Sequence, residues 1–245
     1  MRKAAVFDLD GTLLYTLDSI ARAGNRMLEA LGFPPRPLDE YRYYCGDGVE
    51  NLVRRVLRVQ GGLTPENVKE GCRINRAFLA EDPLYNVKPY EGIEDALLRL
   101  RAGGIRLAVF SNKPDAQTKE VIETFFPGVF DCVRGQVEGF PVKPDPAGVM
   151  IVARELGVSP SEFMYFGDSG TDMKTGKGAG MYTVGVLWGY RTREELEENG
   201  ADRIIKRPDE MAGVTEGWTV FRRASKGPSL CYTGKTLIHI PPFIS

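Results

Sequence analysis

Histidine is nearly missing from these 245 residues: the only one is His239, close to the end. Neither a Ser-His-Asp triad nor a multi-histidine metal site can be built around a single tail residue. Any catalysis must therefore rest on carboxylates, lysine and hydroxyls, with or without a metal ion. Cysteine is scarce as well. Cys45, Cys72, Cys132 and Cys231 are never spaced as Cys-x-x-Cys, which removes zinc knuckles and redox pairs and fits unpaired thiols in a reducing compartment. No apolar run reaches the ~18 residues of a membrane span. The N-terminus enters a strand-like run at once, and the charge of Asp8 interrupts any signal-peptide core there. A cytoplasmic protein with no membrane partner is expected. There is no excess of either sign: 32 Lys and Arg face 33 Asp and Glu, a net charge of −1, so no bulk field attracts nucleic acid. An anionic ligand would have to be gripped by a few local cations.

What is present is an ordinary globular composition, 42% hydrophobic and 27% charged, long enough for a large core plus an insert. Short apolar runs rich in strand formers recur at residues 4–9, 105–110, 163–166 and 181–186, with shorter ones at 130–133 and 201–205. Helical periodicity separates them at 92–102, 115–126, 146–156 and 194–198. Strands alternating with helices predict an α/β fold: a Rossmann-like parallel sheet core with helices on both faces. Residues 15–85 break the alternation with helical patterns at 17–31, 49–59 and 65–79 and no strand-like run. They predict an inserted α-helical domain, leaving 1–14 and 86–214 as the core. Residues 215–245 lose all periodicity and read as an extension of uncertain structure.

In a parallel sheet, ligands sit beyond the carboxyl ends of the strands. The polar clusters fall there. Asp8-Leu9-Asp10-Gly11-Thr12 follows the first strand, Ser111-Asn112-Lys113 the second, and Gly167-Asp168-Ser169-Gly170-Thr171-Asp172 the third. Lys143 lies in Val142-Lys143-Pro144-Asp145, a stiff segment before a helix. Taken singly, each is also a normal turn or helix cap. Their joint order at successive strand ends is what those readings leave unexplained. Carboxylates gathered at one rim need neutralising, and hard oxygen ligands suit magnesium. Ser111 can donate to a phosphate oxygen beside the amides of a helix start.

The order Asp8-x-Asp10-Gly11-Thr12, Ser111, Lys143, Gly167-Asp168-x-x-x-Asp172 resembles the four motifs of the haloacid dehalogenase-like hydrolase superfamily, over residues 4 to about 190. The helical insert is similar to its C1 cap. Ser111-Asn112-Lys113 and Gly46-Asp47-Gly48-Val49 look most like the phosphoglycolate phosphatase branch. The resemblance implies a phosphatase with Asp8 as nucleophile, Asp10 as acid and base, and Lys143 as charge compensator. It implies Gly11, Thr12, Ser111, Asn112 and Lys113 around the phosphate, and Mg2+ on Asp8, the Asp10 carbonyl, Asp168 and Asp172. The substrate would be a small phosphate ester, 2-phosphoglycolate first. In the cap, Gly46, Asp47 and Gly48 are candidate substrate contacts, with Arg22, Arg26, Tyr43 and Tyr44 behind them. Tyr15-Thr16 departs from the family's usual Asp-Ser and bears on hinge or specificity. A β-phosphoglucomutase-like phosphomutase, a pyrophosphatase or nucleotidase, and an inactive binding module are the competing readings. A dehalogenase is disfavoured by Asp10, Asp168 and Asp172. Monomer and homodimer both stay open.

Overall fold

The first strand, β1 (Ala4–Phe7), has all four side chains fully buried. A strand covered on both faces must sit inside a sheet, and β1 does. The computed structural model, which describes residues 2–215, continues with β2 (Leu14–Tyr15), β3 (Lys88–Pro89), β4 (Arg106–Pro114), β5 (Cys132–Gln136), β6 (Phe163–Gly167), β7 (Tyr182–Val186) and β8 (Arg203–Ile205). Six of these form one parallel sheet in the order β5-β4-β1-β6-β7-β8. The order in which strands are added reverses at β1: β4 and β5 lie to one side, β6 to β8 to the other. That is the switch point at which such sheets open a crevice.

The alternation of side chains along β1 assigns the two faces. Ala5 and Phe7 pack with α5 (Ile93–Ala102) and α6 (Asp115–Phe125) through Leu97, Leu100, Val121 and Ile122. Ala4 and Val6 pack with α7 (Ala147–Leu156) through Val149, Val152 and Leu156. Stacking of Phe7 on Phe166, with centroids 4.8 Å apart, ties β1 to β6; burying rings of this kind stabilises by about 2–3 kcal/mol each. The next helix, α8 (Gly170–Gly178), lies close to the sheet because Gly176 faces Tyr165 and Thr183 without a side chain.

The helices α1 (Leu17–Ala30), α2 (Tyr41–Tyr44), α3 (Val49–Val59) and α4 (Pro65–Glu81) make a second, separate cluster around Leu17, Met27, Tyr41, Val53, Val56 and Leu57. The start of α4 follows from its sequence: Thr64 accepts a hydrogen bond from Asn67 N at 3.2 Å, and Pro65 occupies the first turn. The antiparallel pair β2 and β3 marks where the chain leaves and re-enters the core. Two-residue strands carry no periodicity, and none was expected in or beside residues 15–85. β4 is also longer than its apolar run: Ser111, Asn112 and Lys113 are in the strand, whose pairing with β5 shifts register between Phe110 and Pro114. Residues 216–245, with Cys231, His239 and nearly all of the expected extension, lie outside the described residues. Among the described residues no helix is long and apolar enough to cross a membrane.

Candidate active site

Parallel register delivers the polar groups to one level. Phe7 is in register with Val109 on β4 and Phe166 on β6, so Asp8 emerges from the sheet beside both neighbours, its amide donating to the Phe166 carbonyl at 2.9 Å. Asp168 directly follows β6. Asp8, Asp168 and Asp172 are all buried, and each offers a carboxylate oxygen within 4.8 Å of the others. Lys143 arrives from the loop between β5 and α7. Its Nζ donates to Asp8 Oδ1 at 2.7 Å and to Asp172 Oδ1 at 2.8 Å, with about 1% of the side chain exposed.

Three buried carboxylates against one ammonium leave an anionic surplus, and the protonation equilibria register it. Burial pushes the Asp8 carboxyl well above the usual carboxylate range; Lys143 opposes this, while Asp172, Asp168 and Asp10 add to it. Burial, then repulsion from Asp172, lifts Asp168 to about 7 despite the amide that donates to it. For Lys143, burial alone would favour the neutral amine, but Asp172 and Asp8 outweigh it and hold the ammonium charged. A divalent cation is the group that relieves such a surplus, and three converging oxygen donors fit a hard one.

Each carboxylate is held differently. Asp168 accepts Tyr190 N at 2.7 Å on Oδ2 and Thr12 Oγ1 at 3.3 Å on Oδ1. Gly11, at φ +90°, permits the approach: a Cβ there would strike the Asp168 carboxylate and the Tyr190 ring. Gly11 thus allows the loop to close on Asp168, and Thr12 steadies it by its hydrogen bond; neither lines the cavity between the strand ends and the helical segment. Asp172 closes the capping box of α8, accepting Ser169 N at 3.1 Å and Ser169 Oγ at 2.6 Å on Oδ2 while Lys143 occupies Oδ1. Asp10 points elsewhere: its carboxylate meets Lys113 Nζ at 2.9 Å, and its side chain is outside the three-carboxylate group. Asn112 braces the lysine loop, accepting Lys143 N at 2.8 Å and donating to the Lys143 carbonyl at 3.3 Å.

A cavity opens between the strand ends and the helical segment. Its sheet side presents Asp8, Asp10, Ser111, Asn112 and Lys113; the facing side includes Gly46, Gly48, Val49 and Leu52. Asp47 does not line it. Its carboxylate is taken by Thr171 Oγ1 and Arg55, Asn112 Nδ2 donates to the Gly46 carbonyl at 3.1 Å, and Arg191 donates to the Cys45 carbonyl at 2.9 Å. The turn at residues 45–48 is thus clipped to the core. Four further candidates fall away from the cavity. Arg22 pairs with Asp82 and Arg26 with Glu81 on the surface, where they stack on Tyr85 and Phe78. Tyr43 is largely exposed, and Tyr44 donates to Glu40 Oε2 at 2.5 Å. Tyr15 donates to Asp18, while Thr16 holds the Tyr190 hydroxyl through both its amide and its Oγ1. Sequence reasoning missed Asn75, Cys45, Ile20, Leu52 and Leu79 as lining residues. For Asn75 a signal existed: it continues the buried stripe Val68, Cys72, Leu79 of α4 as its one polar member.

The family model for haloacid dehalogenase-like hydrolases matches residues 5–186. A phosphoglycolate phosphatase of Rhodospirillum rubrum is 34% identical over 229 residues, covering 90% of this chain and 92% of the relative. One of Pseudomonas putida is 31% identical over 222 residues, covering 88% and 79%. The crystal structure of a candidate phosphoglycolate phosphatase from Lactobacillus delbrueckii subsp. bulgaricus superposes with a TM-score of 0.83 at 29% identity, covering 87% of this chain and 98% of that one. With the four motifs gathered at one rim, the chain belongs to the haloacid dehalogenase-like hydrolase family, in the branch of its phosphoglycolate phosphatase relatives.

Proposed function

We propose that this enzyme hydrolyses a small phosphate monoester through a phosphorylated Asp8, with 2-phosphoglycolate, the substrate named for its relatives, as the first ester to test. The observation that carries the reading is the buried Lys143 ammonium held 2.7 Å from Asp8 Oδ1, between that nucleophile and Asp172.

In the first step an Asp8 oxygen attacks phosphorus and the ester P–O bond breaks. Asp10 gives its proton to the departing alkoxide. In the second, Asp10 takes a proton from water, the water oxygen attacks phosphorus, and the Asp8–phosphorus bond breaks to release inorganic phosphate. Lys113 positions the Asp10 carboxylate between these duties. Ser111 and the Asn112 backbone, which line the cavity from β4, would hold the phosphoryl oxygens. Lys143 offsets the charge that accumulates when an anionic nucleophile meets a phosphate dianion, the term that dominates catalysis in a water-poor site. Asp8, Asp168 and the Asp10 carbonyl would hold Mg2+, with Asp172 ligating directly or through water. That ion supplies charge neutralisation and orientation at the phosphoryl group. The helical segment 15–85 serves as a cap hinged at the β2–β3 pair, closing over the core formed by 1–14 and 86–214.

The test is a panel of phosphate esters with Mg2+, run on the wild type and on Asp8→Asn. Stoichiometric phosphate release that disappears in the folded variant supports the reading. Isomerisation of a hexose phosphate without phosphate release would replace it with the phosphomutase.

A further inference from the structure

Asn75 lies on α4, in the helical segment, and is 1% exposed. Among the described residues neither its Nδ2 nor its Oδ1 has a hydrogen-bond partner. A buried amide left unpaired on both sides costs about 1–3 kcal/mol per group, and native interiors rarely carry one without cause. This amide lines the same cavity as Asp8, Asp10 and Ser111, on the side opposite the sheet. Its companions there, Ile20, Cys45, Val49, Leu52 and Leu79, supply no charge; burial keeps even the Cys45 thiol protonated, with its pKa pushed up to about 12.

We infer that Asn75 reads the distal oxygen group of the substrate, so that the preferred ester carries a hydroxyl or carboxylate beyond its phosphate. This rests on the phosphatase reading above. The division of labour follows from the two walls. Every charged group known to the cavity is on the sheet side and is occupied by the phosphate chemistry. The far end of the ester meets an apolar wall with one amide in it. A hydroxyl satisfies both amide atoms, accepting from Nδ2 and donating to Oδ1. A carboxylate satisfies only the donor. An alkyl group satisfies neither and leaves the amide as it is now. A cationic group would lose its hydration against Ile20, Val49 and Leu52 and gain one acceptor, so such esters are excluded. A site built to hydrogen-bond a substrate group discriminates strongly against the analogue that lacks it, because its own polar atoms then stay unpaired.

Three esters separate the possibilities: glycerol 1-phosphate, 2-phosphoglycolate and ethyl phosphate, compared as kcat/KM on wild type, Asn75→Leu and Asn75→Asp. The wild type is expected to prefer the first two over ethyl phosphate. Asn75→Leu should shrink that preference at least tenfold, mostly through KM. Asn75→Asp, which keeps the size and adds negative charge, should penalise 2-phosphoglycolate more than glycerol 1-phosphate. A folded Asn75→Leu that keeps the wild-type ratios overturns the inference while leaving the phosphatase reading intact. If the wild type hydrolyses none of the three, the wider ester panel decides that reading. The inference is then decided by binding: the melting-temperature rise produced by glycerol 1-phosphate on Asp8→Asn must vanish when Asn75→Leu is added, and its persistence refutes the role. Should Asn75→Leu not fold, the Asn75→Asp comparison decides alone.

Discussion

The two walls of the cavity handle polar groups in opposite ways. On the sheet side every buried charge is engaged: Lys143 spans Asp8 and Asp172, Lys113 holds Asp10, and Tyr190 N and Thr12 hold Asp168. On the helical side the wall is apolar and its one buried amide is unengaged. Polar groups that are already paired are preorganised for a fixed reaction. One that is left open waits for a partner from outside. Breaking the engaged Lys143 bridge on the sheet side should therefore cost stability, whereas replacing the open amide on the helical side should add to it.

The largest effect is expected at Asp8. Asp8→Asn should lower kcat by at least about a thousandfold with melting temperature preserved or raised, since it also reduces the anionic surplus; phosphate release and a thermal scan check both. Next is Lys143→Met. It leaves three buried carboxylates without their ammonium, and breaking a buried pair in this way costs about 3–5 kcal/mol. Urea unfolding measures the loss, and added Mg2+ should recover part of it by binding the native state. Asn75→Leu should move the other way, stabilising by about 1 kcal/mol because an unpaired amide is replaced by an apolar side chain of similar size. Destabilisation there would mean that the amide is paired after all. Asp47→Ala removes both the Thr171 and Arg55 contacts of the clipped turn; KM should rise a few-fold with kcat less affected, read from steady-state kinetics.

The smallest effect lies outside both walls. Asp202 accepts Thr183 N at 2.8 Å and pairs with Lys177. Burial there favours its neutral form, but the Lys177 and Thr183 hydrogen bonds prevail and hold its carboxyl below the usual carboxylate range. A depressed carboxyl stabilises the fold above its unfolded value, near ~3.9, and that contribution disappears as pH falls through the folded value. Asp202→Asn should therefore cost less than about 1 kcal/mol at pH 7, as partly exposed pairs do. The cost should shrink further below pH 3, which melting curves at the two pH values will show.

How much of this was legible in the sequence depended on whether a residue's neighbours in the chain announced its place. Asp8, Ser111 and Asp168 follow apolar runs, so strand-end logic put them on one rim, and the parallel register explains why they share a level. The inserted helices were visible from their periodicity. Lys143 sits in a loop and was found only through the motif order; its bridge to Asp172 depends on the position of α8, which no local pattern encodes. Arg22 and Arg26 were misplaced because a cation on an amphipathic helix looks the same whether it faces a substrate or, as here, Asp82 and Glu81 about 60 and 55 residues away. Asn75 was hidden by its neighbours Arg73 and Arg76, which make the segment look solvated although the stripe between them is buried.

The position of β1 has a consequence for synthesis. It is made before either of its partners in the sheet, which begin at Arg106 and Phe163. For the time it takes to translate roughly 100 residues, the nascent chain carries Ala-Ala-Val-Phe and the carboxylate behind it with no strand to pair with. The helices between, which make a cluster of their own, can condense first and shorten that exposure.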